Sequence, residues 1–589
     1  MFYYQAKSSE IESNLSTSER AQISKEVPTF YFPSPKTTDP KQWRAQRTME
    51  VIPGILTWVT LIGMIVFSFV LPIWIAVFII MFDIYWIYRT IFITYYSIVA
   101  YRRLENGKKI DWWERCQNIM HPDEYAKAIV EKINLFKQGL VEVSVRKERR
   151  KLKGEICRLS EYQKEVAAIA KVGNEIMDWR KIVHVVLLPT ANEPAEIIEP
   201  AIAAVMDSNF PNQQIIILLA TEERENEKQR LEKVNYLQNK FKGVFRDFLV
   251  TTHEVESHEM KCKASNATYA AKKLMVYLDE RKIDYKRVIF SNFDCDSVCH
   301  SQYFAALTHA YITDPKRLQR SYQPLPMYHN NIWDTNAFVR VIVTGSSFWH
   351  MFQSTRLQMV TFSSHSEPFD TLVKVNFWPL DMISEDSIIY WKCFTYYHGD
   401  YKVKPIYLPI SLDAVLAETY WKTIKNQYKQ KRRWAYGIEN FPVIMRAIWP
   451  DKMIKTRKKL GIAFEMLEGH HSWATSAFIL ALLGWLPLFF GGSQFNQSVL
   501  AHNLPFVTRY LMTIAMGGLI ISMFLSFVLL PPRPAKYGKK RYIYMFLQWF
   551  LAPIIAPTLG AIPAIDSQTR ILFKQYFGEF WVTDKIRKK

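Results

Sequence analysis

The sequence lacks most of what would frame a small secreted domain. Its 589 residues hold six cysteines, Cys116, Cys157, Cys262, Cys295, Cys299 and Cys393, and none sits in a CxxC pair. A disulfide framework is excluded, and free thiols facing the cytosol are expected. Cys295, Cys299 and His300 have no evident fourth partner for zinc, so small buried residues near a strand end are the better reading. The 20 glycines and 28 prolines follow no triplet order, which rules out a collagen-like chain. Zinc-finger and RRM signatures are missing, so no nucleic-acid partner is expected despite a net charge of +20. Charge itself is missing from long stretches: no Asp, Glu, Lys or Arg occurs in 51–82, 469–508, 510–532 or 542–565.

A bilayer crossing needs ~20 apolar residues. The charge-free stretches therefore predict a transmembrane hairpin over 51–100, broken at Leu71-Pro72, and transmembrane or re-entrant helices over 471–566. Pro553, Pro557 and Pro563 break the last stretch, which leaves a re-entrant or interfacial segment as the alternative to a span. Basic runs flank these segments (Arg102-Arg103, Lys108-Lys109, Lys539-Lys540-Arg541), the pattern of a cytosolic face. Asp83 and Arg89 would lie at membrane depth, paired with each other or with a neighbouring helix. Residues 1–50 read as a polar cytosolic tail, 101–180 as a basic amphipathic helical linker, 441–470 as an interfacial segment and 567–589 as a basic tail.

Between them, residues 181–440 change character. Strand-like runs (Val183–Leu188, Gln214–Ala220, Phe248–Thr252, Arg287–Asn292) alternate with helical ones (Pro194–Asp207, Arg224–Phe241). That alternation predicts an α/β domain, a mostly parallel sheet with helices on both faces. Ligands of such sheets bind at the carboxyl ends of the strands. The first strand ends in Thr190-Ala191-Asn192-Glu193 and the second in Glu222-Glu223. Lys263-Ala264-Ser265-Asn266 follows the third, and Asp294-Cys295-Asp296 follows the fourth. Two carboxylates so spaced can share one Mg²⁺ or Mn²⁺, which in turn binds a diphosphate. Farther on come Trp378, Ser384-Glu385-Asp386 and Gln430-Lys431-Arg432-Arg433-Trp434.

In this order the motifs resemble the family 2 glycosyltransferases of GT-A fold, in particular the membrane-integrated synthases of the cellulose synthase and hyaluronan synthase type. The resemblance implies a GT-A domain inserted between N- and C-terminal transmembrane helices. It implies nucleotide binding by Thr190, Asn192, Glu193, Glu222, Lys263 and Asn266, and metal binding by Asp294 and Asp296. It makes Asp386, beside Glu385, the catalytic base, and gives Gln430, Arg433 and Trp434 to the diphosphate and acceptor. Ser384 replaces the family's threonine, and Glu222 stands where aspartate is usual.

The chemistry agrees. Charge developing on a leaving diphosphate calls for a cation and Arg433, and the acceptor hydroxyl must lose its proton, for which Asp386 is the base. One base and direct attack predict inversion, while Trp434 and Trp378 offer ring faces for a sugar. The expected function is a membrane-embedded inverting glycosyltransferase, multi-pass in the cell membrane, with its catalytic domain in the cytosol and membrane lipids around it. A nucleotide-sugar donor, UDP-linked by preference, would feed a growing polysaccharide. Transfer of one sugar to a lipid acceptor is the alternative, and a non-catalytic nucleotide- or lipid-binding scaffold the second. A transporter would need polar residues through many spans, and only Asp83 and Arg89 qualify. So few spans make a narrow passage, which a second copy or an accessory export subunit would widen.

Overall fold

The structure, a computed structural model, describes residues 30–172, 176–257, 259–578 and 586–587. Most of the expected N-terminal tail, and Lys585, Lys588 and Lys589 of the C-terminal one, lie outside the described residues.

The central domain is built on one eight-stranded sheet. Its strands are β1 (Val183–Pro189), β2 (Ile215–Glu222), β3 (Asp247–His253), β4 (Val288–Asn292), β5 (Val298–Cys299), β6 (Arg320–Met327), β7 (His365–Pro368) and β8 (Lys402–Ser411), in spatial order β3-β2-β1-β4-β7-β6-β8-β5. The first four pair in parallel, β7 runs antiparallel to β4 and β6, and β6 pairs in parallel with β8. Helices cover both faces. Val183, Val185 and Leu187 of β1 enter one core, with the helix Lys263–Glu280, while Val186 and Leu188 enter the other, with the helices Ala195–Met206 and Tyr303–Ile312. Burial on both faces is why β1 and β2 read as continuous apolar runs instead of alternating.

The basic linker packs on this domain. Cys116, Ile129, Ile133, Tyr162, Val166 and Ile169, from the helices Trp112–Asn118, Pro122–Glu142 and Arg146–Val172, join the core of the second face.

Among the described residues four helices are long and apolar enough to cross a membrane: Pro40–Val70, Pro72–Gly107, Val499–Val528 and the segment Arg541–Leu572. A bent pair, Thr456–Ala481 with Leu483–Phe490, is a further candidate. The first helix starts at Pro40, ahead of its charge-free stretch, behind an Asp39 cap that accepts from Gln42 N. Arg89 pairs with Glu468 of the bent pair rather than with Asp83. Phe69 stacks on Phe490 at 4.3 Å. The segment Arg541–Leu572 touches the central domain at several points. Arg541 donates to Trp333 O (3.0 Å), Gln548 accepts from Arg340 (2.6 Å), and Ser567 donates to Arg432 O (2.7 Å). Its far end reaches the first helix, where Ile571 O accepts from Arg47 (2.7 Å).

Candidate active site

Four sequence-predicted residues converge where the parallel strands end. Lys263 begins the helix after β3, Asp294 follows β4, and Glu385 and Asp386 open the helix Glu385–Tyr396. The Lys263 ammonium donates to Asp294 Oδ1 at 2.7 Å and to Asp386 Oδ1 at 3.4 Å, and lies 3.6 Å from Glu385 Oε1. Burial works against that ammonium, but the three acids outweigh it and hold it charged well above its usual range. Burial, then the neighbouring Asp386, pushes Glu385 well above the usual carboxylate range, while Lys263 and Arg433 pull it back down. Arg433 lies within electrostatic reach of the same three acids, which oppose the lowering that burial imposes on it.

Asp294 also accepts from Ser363 Oγ (2.5 Å), and Asp386 O accepts from Thr361 Oγ1 (2.6 Å). Asp296 is buried, its Oδ2 accepting from the Asp413 amide at 2.7 Å. Asp413 in turn is gripped by Arg587 through two bonds of 3.1 and 2.9 Å, which ties Arg587 to the loop that follows β4. His365, to which the sequence gives no role, sits with Nδ1 3.9 Å from Asp386 and Nε2 3.6 Å from Glu367.

The nucleotide-side residues line the ends of β1 and β2. Asn266 Nδ2 donates to Ala220 O (3.0 Å), and the Thr190 amide donates to the same carbonyl (2.8 Å). Asn192 is exposed, and Glu193 turns back to accept from the Ala191 and Asn192 amides at 2.8 and 3.2 Å. Glu222 is buried and paired with Arg224. Sequence reasoning missed Glu225, which accepts from Thr190 Oγ1 (3.3 Å), the Glu222 amide (3.1 Å) and Lys233 (2.5 Å). A Lys eight residues after a Glu across a helix start was the only signal.

Gln430 and Trp434 occupy the last turns of the helix Tyr420–Ala435. Gln430 is buried and accepts from Gln427 (3.1 Å); Trp434 is partly exposed beside Tyr328, with the Lys431 ammonium 5.0 Å above its ring. Trp378 does not join them. It is 1% exposed and packs on Phe290 in the sheet core, so it has no ring face to offer a sugar. The approach Val375–Pro379 carries it inward because Asn376 and Phe377 take left-handed backbone conformations that turn the chain under the sheet.

No protein-family model matches the chain. Over 181 residues it is 29% identical to a poly-beta-1,6-N-acetyl-D-glucosamine synthase of Staphylococcus epidermidis strain RP62A, covering 30% of this chain and 39% of that protein. A second Staphylococcus epidermidis synthase of the same name is 28% identical over 181 residues, again 39% of its length. The chain thus spans about two fifths of the curated relatives it matches. Among solved structures it is similar to the mannosyltransferase PcManGT of Pyrobaculum calidifontis in complex with GDP-Man and Mn²⁺. That match has 13% identity and a TM-score of 0.34, covering 64% of this chain and 86% of the other. It is also similar to residues 1–349 of TarS from S. aureus in complex with UDP-GlcNAc, with 11% identity and a TM-score of 0.32, over 58% and 90% of the two chains.

A cation site can be tested on the donor set. No cluster of three His, Cys, Asp or Glu ligands occurs among the described residues. Mg²⁺ is commonly held by one or two carboxylates, with substrate phosphates and water completing its shell. Asp294, partly exposed, offers one such carboxylate, Asp296 lies buried two residues on, and the Lys263 ammonium between Asp294, Asp386 and Glu385 marks a place where the acids already accommodate positive charge.

Proposed function

We propose that the chain is a membrane-embedded, inverting hexosyltransferase that moves a sugar from a nucleotide-diphosphate donor to a growing polysaccharide. The observation that carries the reading is the convergence of Lys263 with Asp294, Glu385 and Asp386 at the carboxyl end of the parallel strands, beside apolar helices. The similarity to poly-beta-1,6-N-acetyl-D-glucosamine synthases makes UDP-N-acetylglucosamine the first donor to test and a polymer the first product to look for.

In this reading the loop Thr190–Glu193, with Glu222 and Asn266, takes the nucleotide. Lys263 and Arg433 offer positive charge to the diphosphate. Asp294 and Asp296 would hold Mg²⁺ or Mn²⁺, which when bound stabilises the negative charge of the leaving diphosphate. Asp386 accepts the proton of the acceptor hydroxyl as its oxygen bonds the anomeric carbon and the bond to the diphosphate breaks. Glu385, which burial and the neighbouring Asp386 push above the usual carboxylate range, is held against its charged form beside that base. Trp434 stacks the acceptor sugar. The catalytic domain faces the cytosol, where nucleotide sugars and basic flanking segments meet.

The test is nucleoside diphosphate release by the full chain in lipid nanodiscs, with UDP-N-acetylglucosamine and Mg²⁺ or Mn²⁺. Release is expected, abolished by chelator and lowered ~10²–10⁴-fold in Asp386→Asn, the worth of a general base. Asp386→Asn retaining wild-type turnover would end the assignment of the base. Labelled product longer than one sugar marks a polymer; a single glycolipid product would overturn the polysaccharide reading.

A further inference from the structure

We infer that Glu439 is a positioning residue for the transfer: its carboxylate clamps residues 383–384 and so fixes where Asp386 points. Asp386 is the second residue of its helix, so its direction depends on the two residues that lead into it. The usual device there would be a capping hydroxyl, but Ser384 makes no side-chain cap bond. Its hydroxyl turns outward instead, to the chain segment that follows the helix Tyr420–Ala435. One oxygen of Glu439, Oε1, accepts from the Ile383 amide (3.0 Å), the Ser384 amide (2.9 Å) and Ser384 Oγ (2.8 Å). Asn440 donates from Nδ2 to Ser387 Oγ (2.8 Å), and its Oδ1, 2.6 Å from Ser384 Oγ, shares with Glu439 the one proton of that hydroxyl.

Three donors converge on one carboxyl oxygen, and because burial pushes Glu439 up to about 7, the grip rests on the oxygen's acceptor geometry in either protonation state rather than on full charge. Its location gives it meaning. Glu439 ends the single turn Tyr436–Glu439, which directly continues the helix bearing Gln430, Arg433 and Trp434. Glu439 therefore joins the base-bearing helix to the helix that carries the diphosphate- and acceptor-side residues. It touches no reacting atom. It fixes Asp386 relative to Arg433, and such registration matters because a misplacement of ~1 Å can cost ~10²-fold in rate.

The inference rests on Asp386 being the base, and the experiment separates the two. Full-length wild type, Asp386→Asn, Glu439→Leu, Glu439→Gln and Ser384→Ala are compared in nanodiscs by diphosphate release from UDP-N-acetylglucosamine. Glu439→Leu is expected to lower kcat ~100-fold, with the donor KM unchanged within about twofold, because only the transition-state geometry is disturbed. Glu439→Gln, whose Oε1 can accept the same three bonds, is expected to restore most of that loss. Ser384→Ala, which removes one bond of the three, is expected to lower kcat about tenfold, again without a KM change. Glu439→Leu with wild-type kcat, or Glu439→Gln as poor as Glu439→Leu, overturns the clamp. Should Glu439→Leu fail to fold, an undiminished kcat in Ser384→Ala overturns it instead. If Asp386→Asn is as active as wild type, the base assignment fails; if Asp386→Asn is inactive and the Glu439 variants are not impaired, only the clamp fails.

Discussion

Replacing Lys263 by Met would test whether one ammonium holds the acidic cluster together. Its Nζ is 2.7, 3.4 and 3.6 Å from Asp294, Asp386 and Glu385. With an effective dielectric constant of ~20, the contacts to the two aspartates represent gross attractions of roughly 5–6 kcal/mol each. The net value is much smaller, because desolvation opposes them. Breaking a buried pair costs about 3–5 kcal/mol. Asp294 and Asp386 keep 31% and 26% of their side-chain exposure, so water screens part of that. A loss of about 2 kcal/mol at pH 8 is the expected outcome.

The pH dependence carries the diagnosis. Lys263 is held charged well above its usual range, so it contributes at every pH of a practical assay, and the carboxylates set the window. Without the ammonium, those carboxylates repel one another and take up protons more readily. The deficit is therefore largest above about 8, where Glu385 is charged as well, and shrinks towards pH 5. At about 2–4 °C per kcal/mol for a domain of this size, the expected Tm deficit is about 4–8 °C at pH 8. Tryptophan fluorescence of wild type and Lys263→Met in nanodiscs, melted at pH 5, 6.5 and 8 (~3 units apart end to end), reads it. A deficit equal at all three pH values would refute the electrostatic account and leave only the packing of the lysine stem.

Two further outcomes follow from packing. A Cβ on Gly107, at the end of the second apolar helix, would lie 2.3 Å from Tyr407 O of β8, so Gly107→Ala should depress Tm and yield; Gly139→Ala, which meets nothing within 4 Å, should not. Lys392 donates to Phe377 O (2.7 Å) and Asn376 O (3.0 Å), and burial pushes it down to about 7. Its folded pKa lies below its unfolded one, so the unfolded chain binds the extra proton between about 7 and 10.5 and wild-type stability should rise with pH across that window. Lys392→Met should flatten the rise; a Tm-against-pH slope unchanged in the variant would contradict the assignment.

Half of the sheet was legible in the sequence, for a physical reason. Strands β1, β2 and β4 are short apolar runs covered on both faces, β3 is a half-buried edge strand with an apolar centre, and the limits of all four fall within two residues of the expected ones. The other half carries no such signal. β7 is His-Ser-Glu-Pro, polar yet wholly buried, because its side chains bond across to Ser291 and Tyr303 or face Asp386. β6 and β8 contain Pro324, Pro326, Pro405 and Pro409, residues that argue against a strand on sequence grounds, and their pairing is broken by an irregularity between Gln323 and Leu325. The site divides the same way. Lys263, Asp294, Glu385 and Asp386 come from motifs at strand and helix ends, whereas Ser363, Asp413, Glu439 and Arg587 act through contacts that local sequence does not encode. Trp378 failed as a site residue because an aromatic next to a motif looks alike whether it faces a ligand or a core.

The same logic explains why the catalytic domain and the membrane helices behave as one unit. The helix Tyr420–Ala435 shows two faces. Gln430, Arg433 and Trp434 lie on one side, while Tyr428 and Arg432, four residues apart, share the other. From that second face Tyr428 OH and Arg432 each donate to Asp566 Oδ2 at 3.1 Å, and Arg570 donates to Oδ1 at 2.7 Å. The Arg432 carbonyl accepts from Ser567 besides. A helix whose one face carries the proposed diphosphate and acceptor contacts, and whose other face is bolted to the segment Arg541–Leu572, cannot shift its site residues without moving that segment. The segment is itself tied to the first apolar helix through Arg47. Displacing Arg433 therefore strains contacts at the membrane end of the molecule, and a disturbance of the apolar helices reaches the site along the same few bonds.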